Sequence, residues 1–137
     1  MTSKIEYQGD LRTLCVHLES GNQIITDAPK DNHGNGEAFS PTDLTATSLG
    51  ACILSIMGIK AKDMGIDMKG TTAAVTKVMY TEPRRIGEIH LVIQFPNIEA
   101  FTIQKNKDIF ERVAMNCPVY HSLHPAIIKK IEFKYHS

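Results

Sequence analysis

The sequence has 137 residues, of which 42% are apolar and 22% are charged, as is typical of one globular domain rather than of a disordered chain. Basic and acidic side chains number 15 each, so the formal net charge is zero. We therefore expect neither a nucleic acid nor a membrane as partner, because both anionic surfaces select for basic proteins. A count of three cysteines is low and odd, which is not typical of a secreted disulfide scaffold. The first ten residues do not resemble a targeting segment, because they contain no apolar run. A single domain over residues 1–137, in a reducing cytoplasm, is the expectation.

Short strands and a long polar loop are predicted for the first part of the chain. Residues 5–7, 12–19 and 23–26 have strand character, and 12–19 alternate apolar with polar side chains. Gly21-Asn22 is a turn signal between the second and third of these strands. Residues 27–39 are rich in glycine, proline and asparagine, and a loop of this length is often functional.

A long helix is predicted from Pro41 to about Lys62. Ser40 can cap it, Pro41 suits the first helical position, and Asp43 can reach back to the cap. Its second half is strongly apolar, which predicts a buried helix rather than a surface helix. The apolar stretch over 49–59 is interrupted by glycine and serine, and we expect it to be too short to span a bilayer.

The remaining elements are two strands, two helices and a final strand. Strands are predicted over 68–80 and 86–95, a helix over 100–115, a short helix over 118–123 and a strand over 127–135. Strands that precede and follow helices in this order indicate an α+β fold with mostly antiparallel sheet.

Cys52 and Cys117 are the residues best suited to chemistry. Cys52 lies mid-helix, where a free cysteine is often a small apolar filler, but Thr45 and Ser48 share its helix face and could line a pocket. Cys117 precedes Pro118, so it is either a chain break that carries a cysteine or the N-cap of a short helix, where the helix dipole favours a thiolate.

The other cysteine and the histidines give weaker signals. Cys15 lies on a predicted strand and is interpreted as structural. Cys117, His121 and His124 have the spacing Cys-x3-His-x2-His, which is one route to a zinc site, although His121 and His124 are also ordinary helix-end residues. We expect no metal and no cofactor, since CxxC, HExxH and Gly-rich phosphate-binding motifs are absent from the sequence.

Two segments carry a family resemblance. One is Ser-Pro-Thr-Asp-Leu-Thr-Ala-Thr-Ser-Leu-Gly-Ala-Cys, ending at Cys52, and the other is Asn-Cys-Pro-Val-Tyr-His-Ser-Leu, containing Cys117. With the chain length and element order, they resemble the OsmC/Ohr family of osmotically inducible and organic hydroperoxide resistance proteins, and most closely its OsmC-like branch. The resemblance implies an OsmC-like fold, with mostly antiparallel sheets around a long buried central helix, and an intertwined homodimer with its active sites at the interface.

The resemblance also implies a thiol peroxidase for organic hydroperoxides or hydrogen peroxide. Cys52 would attack the peroxide and become a sulfenic acid, and Cys117 would condense with it to a disulfide that an external dithiol reduces. Arg12, from the N-terminal strands, would hold the attacking thiolate, although its position also suits an exposed strand-end charge. The alternative is a non-catalytic small-ligand-binding or redox-sensing module on the same scaffold.

The sequence departs from the family at the partner of this arginine. The hydroperoxidase branches carry a Glu that pairs with the Arg, and Thr42 stands in its place. Glu37 could reach Arg12 from the loop instead, or it could be a solvated carboxylate, while Asp43 is expected to be used by the helix cap. The altered position leaves both the peroxidase and the non-catalytic module open.

Overall fold

Two units make up the chain, Met1–Thr45 and Ala46–Ser137. The computed structural model describes residues 1–97 and 99–136. In the first unit, β1 (Ser3–Gly9), β2 (Arg12–His17) and β3 (Gln23–Asp27) form an antiparallel sheet in the order β1-β2-β3. The predicted strands are confirmed, with β1 longer than expected at both ends.

Backbone hydrogen bonds join the two ends of the loop that follows β3. The Asp27 N–H donates to the carbonyl of Phe39 over 3.0 Å, and the Gly36 N–H donates to the carbonyl of Ala28 over 3.2 Å. Gly36 has a φ of 64°, in the left-handed region that glycine tolerates best. Residue 37 lies between Gly36 and Phe39, so these bonds hold it close to the end of β3.

The helix α1 (Pro41–Asp63) begins as predicted. The Asp43 N–H donates to Ser40 Oγ over 3.1 Å, and the Ser40 N–H donates to Asp43 Oδ2 over 3.0 Å. This reciprocal pair is a capping box, which satisfies two N–H groups that a helix start would otherwise leave without partners. Asp43 is therefore committed to the cap.

The second unit contains the other sheet and two further helices. The strands β4 (Thr72–Tyr80) and β5 (Arg85–Gln94) are antiparallel, and β6 (Ile128–Lys134) pairs in parallel with β5. The helices are α2 (Gln104–Ala114) and α3 (Pro118–Ser122).

Two predicted boundaries in this unit were wrong. The strand predicted from residue 68 begins at Thr72, because Lys69 N–H bonds to Asp67 Oδ1 over 2.8 Å and closes a turn before it. The helix predicted from residue 100 begins at Gln104, after a separate turn of 3₁₀-helix over Glu99–Phe101.

One face of α1 forms part of the hydrophobic core of the second unit. Its buried residues are Ala46, Leu49, Gly50, Ile53, Met57 and Ala61. Gly50 permits close approach of the sheet, since a Cβ built there would lie 3.3 Å from Val75 Cγ2 and 3.6 Å from Leu91 Cδ2. Gly50 thus makes room for β4 and β5.

Among the described residues, the other face of α1 is partly exposed. Ile59 on that face is 65% exposed, so the helix that was predicted to be buried is buried along one face. The helix is longer than the apolar stretch over 49–59. By length and composition alone it could cross a membrane, because an 18-residue window within it has a mean hydropathy of 1.5. Core helices of other proteins meet the same criterion, and the six buried residues identify α1 as one of them.

Candidate active site

The thiols of Cys52 and Cys117 lie together in the second unit. Cys52 is half-buried on α1, between the core residues Leu49 and Ile53, and Cys117 is fully buried immediately before α3. Burial, and then the neighbouring Cys52 thiol, raise the pKa of Cys117. Although 65 positions separate these residues in the sequence, the fold brings the two thiols near enough to interact, and a disulfide requires such proximity.

Cys117 is the N-cap of α3, which is one of the two interpretations that the following proline allowed. Its Sγ accepts a hydrogen bond from the Tyr120 N–H over 3.4 Å, and Pro118 occupies the first turn. The thiolate that a helix N-terminus favours does not follow, however. Burial raises the pKa of Cys117 above its ordinary value, and the bond to Cys52 raises it further, whereas the N–H groups of Tyr120 and Val119 lower it by less. Cys117 therefore rests as a protonated thiol that can donate to Cys52.

Arg12 and Asp27 form a two-pronged ion pair in the first unit. Arg12 Nε donates to Asp27 Oδ1 over 2.7 Å, and Arg12 Nη2 donates to Asp27 Oδ2 over 2.8 Å. Asp27 is 1% exposed, and its hydrogen bonds to Arg12 hold the pKa of its carboxyl below the ordinary 3.8. Such a parallel pair fixes the plane of the guanidinium as well as its position. Arg12 is thus a held cation rather than a free strand-end charge.

Glu37 also reaches Arg12, as one of the two sequence interpretations proposed. Its Oε2 accepts from Arg12 Nη2 over 3.3 Å, but its side chain is 69% exposed. The backbone N–H of Glu37 donates to Asp27 Oδ2 over 3.1 Å, so the loop also helps to hold the buried carboxylate. Thr42, at the position of the family's Glu, bonds through its hydroxyl to Ser40 Oγ over 3.2 Å and belongs to the helix start.

Asp27 is the residue that the sequence analysis missed. Arg12 and Asp27 are cross-strand partners in the β2–β3 register. The connection between the strands is centred between residues 19 and 20, before the Gly21-Asn22 turn signal, so that signal alone would have placed residue 12 opposite residue 31.

The remaining candidates do not form a site among the described residues. Cys15 lies half-exposed on β2 within 3.9 Å of the Thr13 hydroxyl, as a strand residue would. Across residues 1–97 and 99–136, no three histidine, cysteine or acidic side chains are grouped so that they could hold a metal. His124 Nδ1 instead accepts the Ala126 N–H over 3.0 Å. The zinc alternative at Cys117, His121 and His124 therefore has no support.

Comparison with known proteins identifies the family. The model of OsmC-like proteins matches residues 34–132. The chain belongs to the OsmC-like protein family. A Psychrobacter arcticus protein, described provisionally as an osmotic stress induced and detoxification response protein, is 56% identical, with 97% of this chain and 95% of that chain covered and a TM-score of 0.92. No curated protein matches the sequence.

More distant members of the OsmC-like family share the fold. The Legionella pneumophila organic hydroperoxide resistance protein is 16% identical, with 98% and 97% of the two chains covered and a TM-score of 0.74. An organic hydroperoxide resistance protein of Elizabethkingia anophelis is 20% identical, with 98% and 96% covered and a TM-score of 0.73. The α+β class with two small sheets is thereby confirmed.

Proposed function

We propose that this OsmC-like protein is a two-cysteine peroxidase that reduces organic hydroperoxides or hydrogen peroxide. The proximity of the Cys52 and Cys117 thiols, one half-buried and one buried, is the observation that carries the proposal. A half-buried thiol beside a fully buried one suits a first cysteine that meets the substrate and a second that meets only the first. The Legionella and Elizabethkingia proteins are named organic hydroperoxide resistance proteins, which supports the same class of activity.

The proposed reaction has two steps. The Cys52 thiolate attacks one peroxide oxygen, the O–O bond breaks, and the departing alkoxide or hydroxide takes a proton to leave as alcohol or water. The sulfur keeps the other oxygen as a sulfenic acid. Cys117 then attacks the Cys52 sulfur, an S–S bond forms, and the sulfenic oxygen leaves as water with the Cys117 proton. An external dithiol in a reducing cytoplasm restores both thiols, and no cofactor takes part.

Arg12 has the properties that activation of Cys52 requires. Only the thiolate is nucleophilic, and a fixed cation favours it. The hydrogen bonds and charges of Asp27 and then of Glu37 raise the pKa of Arg12 above its ordinary value, so its charge is permanent. We propose that Arg12 stabilises the attacking thiolate, with Glu37 as a secondary partner of the guanidinium. The neutral net charge of the chain offers no long-range substitute for this local charge.

Intact mass after one equivalent of peroxide tests the function directly. We expect the parent protein to lose two hydrogens per chain as the Cys52–Cys117 disulfide forms, and peptide mapping to leave Cys15 reduced. Stopped-flow oxidation should be far faster than that of free cysteine. A rate equal to that of free cysteine would instead support the non-catalytic binding or sensing module.

We further propose that two copies of the chain form an intertwined homodimer with active sites at the interface. Ile5, Tyr7 and Ile24 are between 48% and 64% exposed on one face of the first sheet, and Ile59 on α1 is 65% exposed. An open cleft of about 390 Å³ lies between Ile5, Cys15 and Ile24 on the same sheet. Exposed apolar side chains grouped on one face of a sheet are typical of an interface.

Ile59→Glu is expected to shift the protein from dimer to monomer, because a carboxylate would be buried without a partner in an apolar contact. Sedimentation velocity at several concentrations measures the shift. Lys62→Glu, another exposed position near the end of the same helix, is the control for added negative charge and should stay dimeric. A monomeric parent protein would contradict the homodimer.

A further inference from the structure

Tyr120 lies against Lys129, a lysine of the strand β6. Lys129 Nζ lies 4.8 Å from the centre of the Tyr120 ring and donates to the Ile127 carbonyl over 3.2 Å. Among residues 1–97 and 99–136, no carboxylate forms an ion pair with it. The ammonium therefore presents its full charge to the face of the ring, which is the arrangement of a cation–π contact.

The helix that this contact holds is too short to be stable by itself. α3 has five residues, and isolated helices of fewer than about 12 residues are marginal in water. Its N-cap acceptor is a sulfur atom, which is a weaker acceptor than the oxygen of serine or aspartate. The edge of the His121 ring, 5.7 Å from that of Tyr120, gives only a local contact within the same helix. Val119, Tyr120 and Leu123 pack against the core of the second unit, and the contact from Lys129 on β6 adds an electrostatic anchor at Tyr120.

The anchored residue is also the one that contacts the buried thiol. The N–H of Tyr120 donates to Cys117 Sγ, while its ring lies against Lys129. A displacement of Tyr120 would remove a donor that favours the Cys117 thiolate and would move the sulfur relative to Cys52.

We propose that Lys129, acting through the Tyr120 ring, is a positioning residue that sets the rate at which Cys117 closes the disulfide on oxidised Cys52. This inference rests on the proposed peroxidase function. It concerns only the second step, in which the Cys117 thiol and the Cys52 sulfenic acid give a disulfide and water. The first step, attack of Cys52 on peroxide, does not involve Lys129.

The test separates the two steps in the full-length protein. Cumene hydroperoxide oxidises Cys52, and competition between dimedone trapping and disulfide formation gives the closing rate. Lys129→Met keeps the aliphatic stem and removes the charge. We expect it to slow closing about fivefold, the factor that a partly exposed cation–π contact represents, without changing the rate of Cys52 oxidation. The pH midpoint of closing should move upward, since the thiolate of Cys117 loses support.

Matched variants distinguish positioning from a general structural effect. Lys129→Arg should restore the closing rate, because guanidinium also stacks on aromatic rings. Lys134→Met, on the same strand and 49% exposed, should behave as the parent protein. Tyr120→Leu should slow closing, and the double variant with Lys129→Met should be no slower.

Two results would overturn the inference. One is closing of Lys129→Met at the parent rate and pH midpoint. The other is an equal slowing of Cys52 oxidation, which would indicate a structural defect. If the parent protein forms no disulfide at all, both the peroxidase function and this inference are overturned. If the parent and Lys129→Met form the disulfide at the same rate, only the inference is overturned.

Discussion

Cys52→Ser is expected to abolish peroxide consumption, whereas Cys117→Ser should still react once but should not turn over with dithiol. The serine hydroxyl ionises too weakly to attack peroxide at neutral pH, so removal of the Cys52 sulfur removes the nucleophile. Without Cys117, the sulfenic acid at Cys52 has no adjacent thiol with which to condense. The measurements are peroxide consumption under excess dithiol and the mass of the protein after one equivalent of peroxide.

The third cysteine supplies the control for this experiment. Cys15→Ser removes one thiol and leaves Cys52 and Cys117 unchanged, so its turnover and its peroxide-dependent mass change should match those of the parent. Consumption of peroxide by both Cys52→Ser and Cys117→Ser at the parent rate would refute the two-cysteine mechanism. If Cys15→Ser were the only one of the three variants to lose activity, the reactive thiol would be Cys15, in the first unit.

Local sequence signals predicted most elements because the physics that fixes them is local. The capping box at Ser40 and Asp43 needs only residues within one turn, and the N-cap at Cys117 needs only the following proline. The pairing of Cys52 with Cys117 came from the family resemblance instead, since nothing in the spacing of the two residues requires their contact.

The failures arise where the outcome depends on three-dimensional surroundings. The helix dipole predicted a thiolate at Cys117, but burial dominates, and burial cannot be derived from the four residues around a cap. The full burial expected of α1 came from its composition, which does not say whether the same chain supplies the cover for Ile59. Asp27 was not predicted as the partner of Arg12 because the strand register, which places residue 27 opposite residue 12, depends on the turn between them.

Asp27→Asn is expected to lower kcat/KM by about 100-fold, the loss that follows when a catalytic group is displaced by about 1 Å. The neutral amide can accept only one of the two hydrogen bonds from Arg12, so the plane of the guanidinium is no longer fixed. Peroxide kinetics measure this effect. Arg12→Lys should resemble Asp27→Asn, because an ammonium keeps the charge but cannot form the two-pronged pair.

The same carboxylate gives the prediction an independent readout in acid. Because Arg12 holds the folded-state pKa of Asp27 below 3.8, its stabilising contribution is present above that value and is lost as pH falls through the folded-state pKa. The melting temperature of the parent protein should therefore fall below about pH 4. The melting temperature of Asp27→Asn should lack this part of the fall. Glu37→Gln, at a side chain 69% exposed, should retain both the acid decline and most of the activity. Equal damage from Glu37→Gln and Asp27→Asn would mean that the exposed carboxylate, rather than the buried one, positions Arg12.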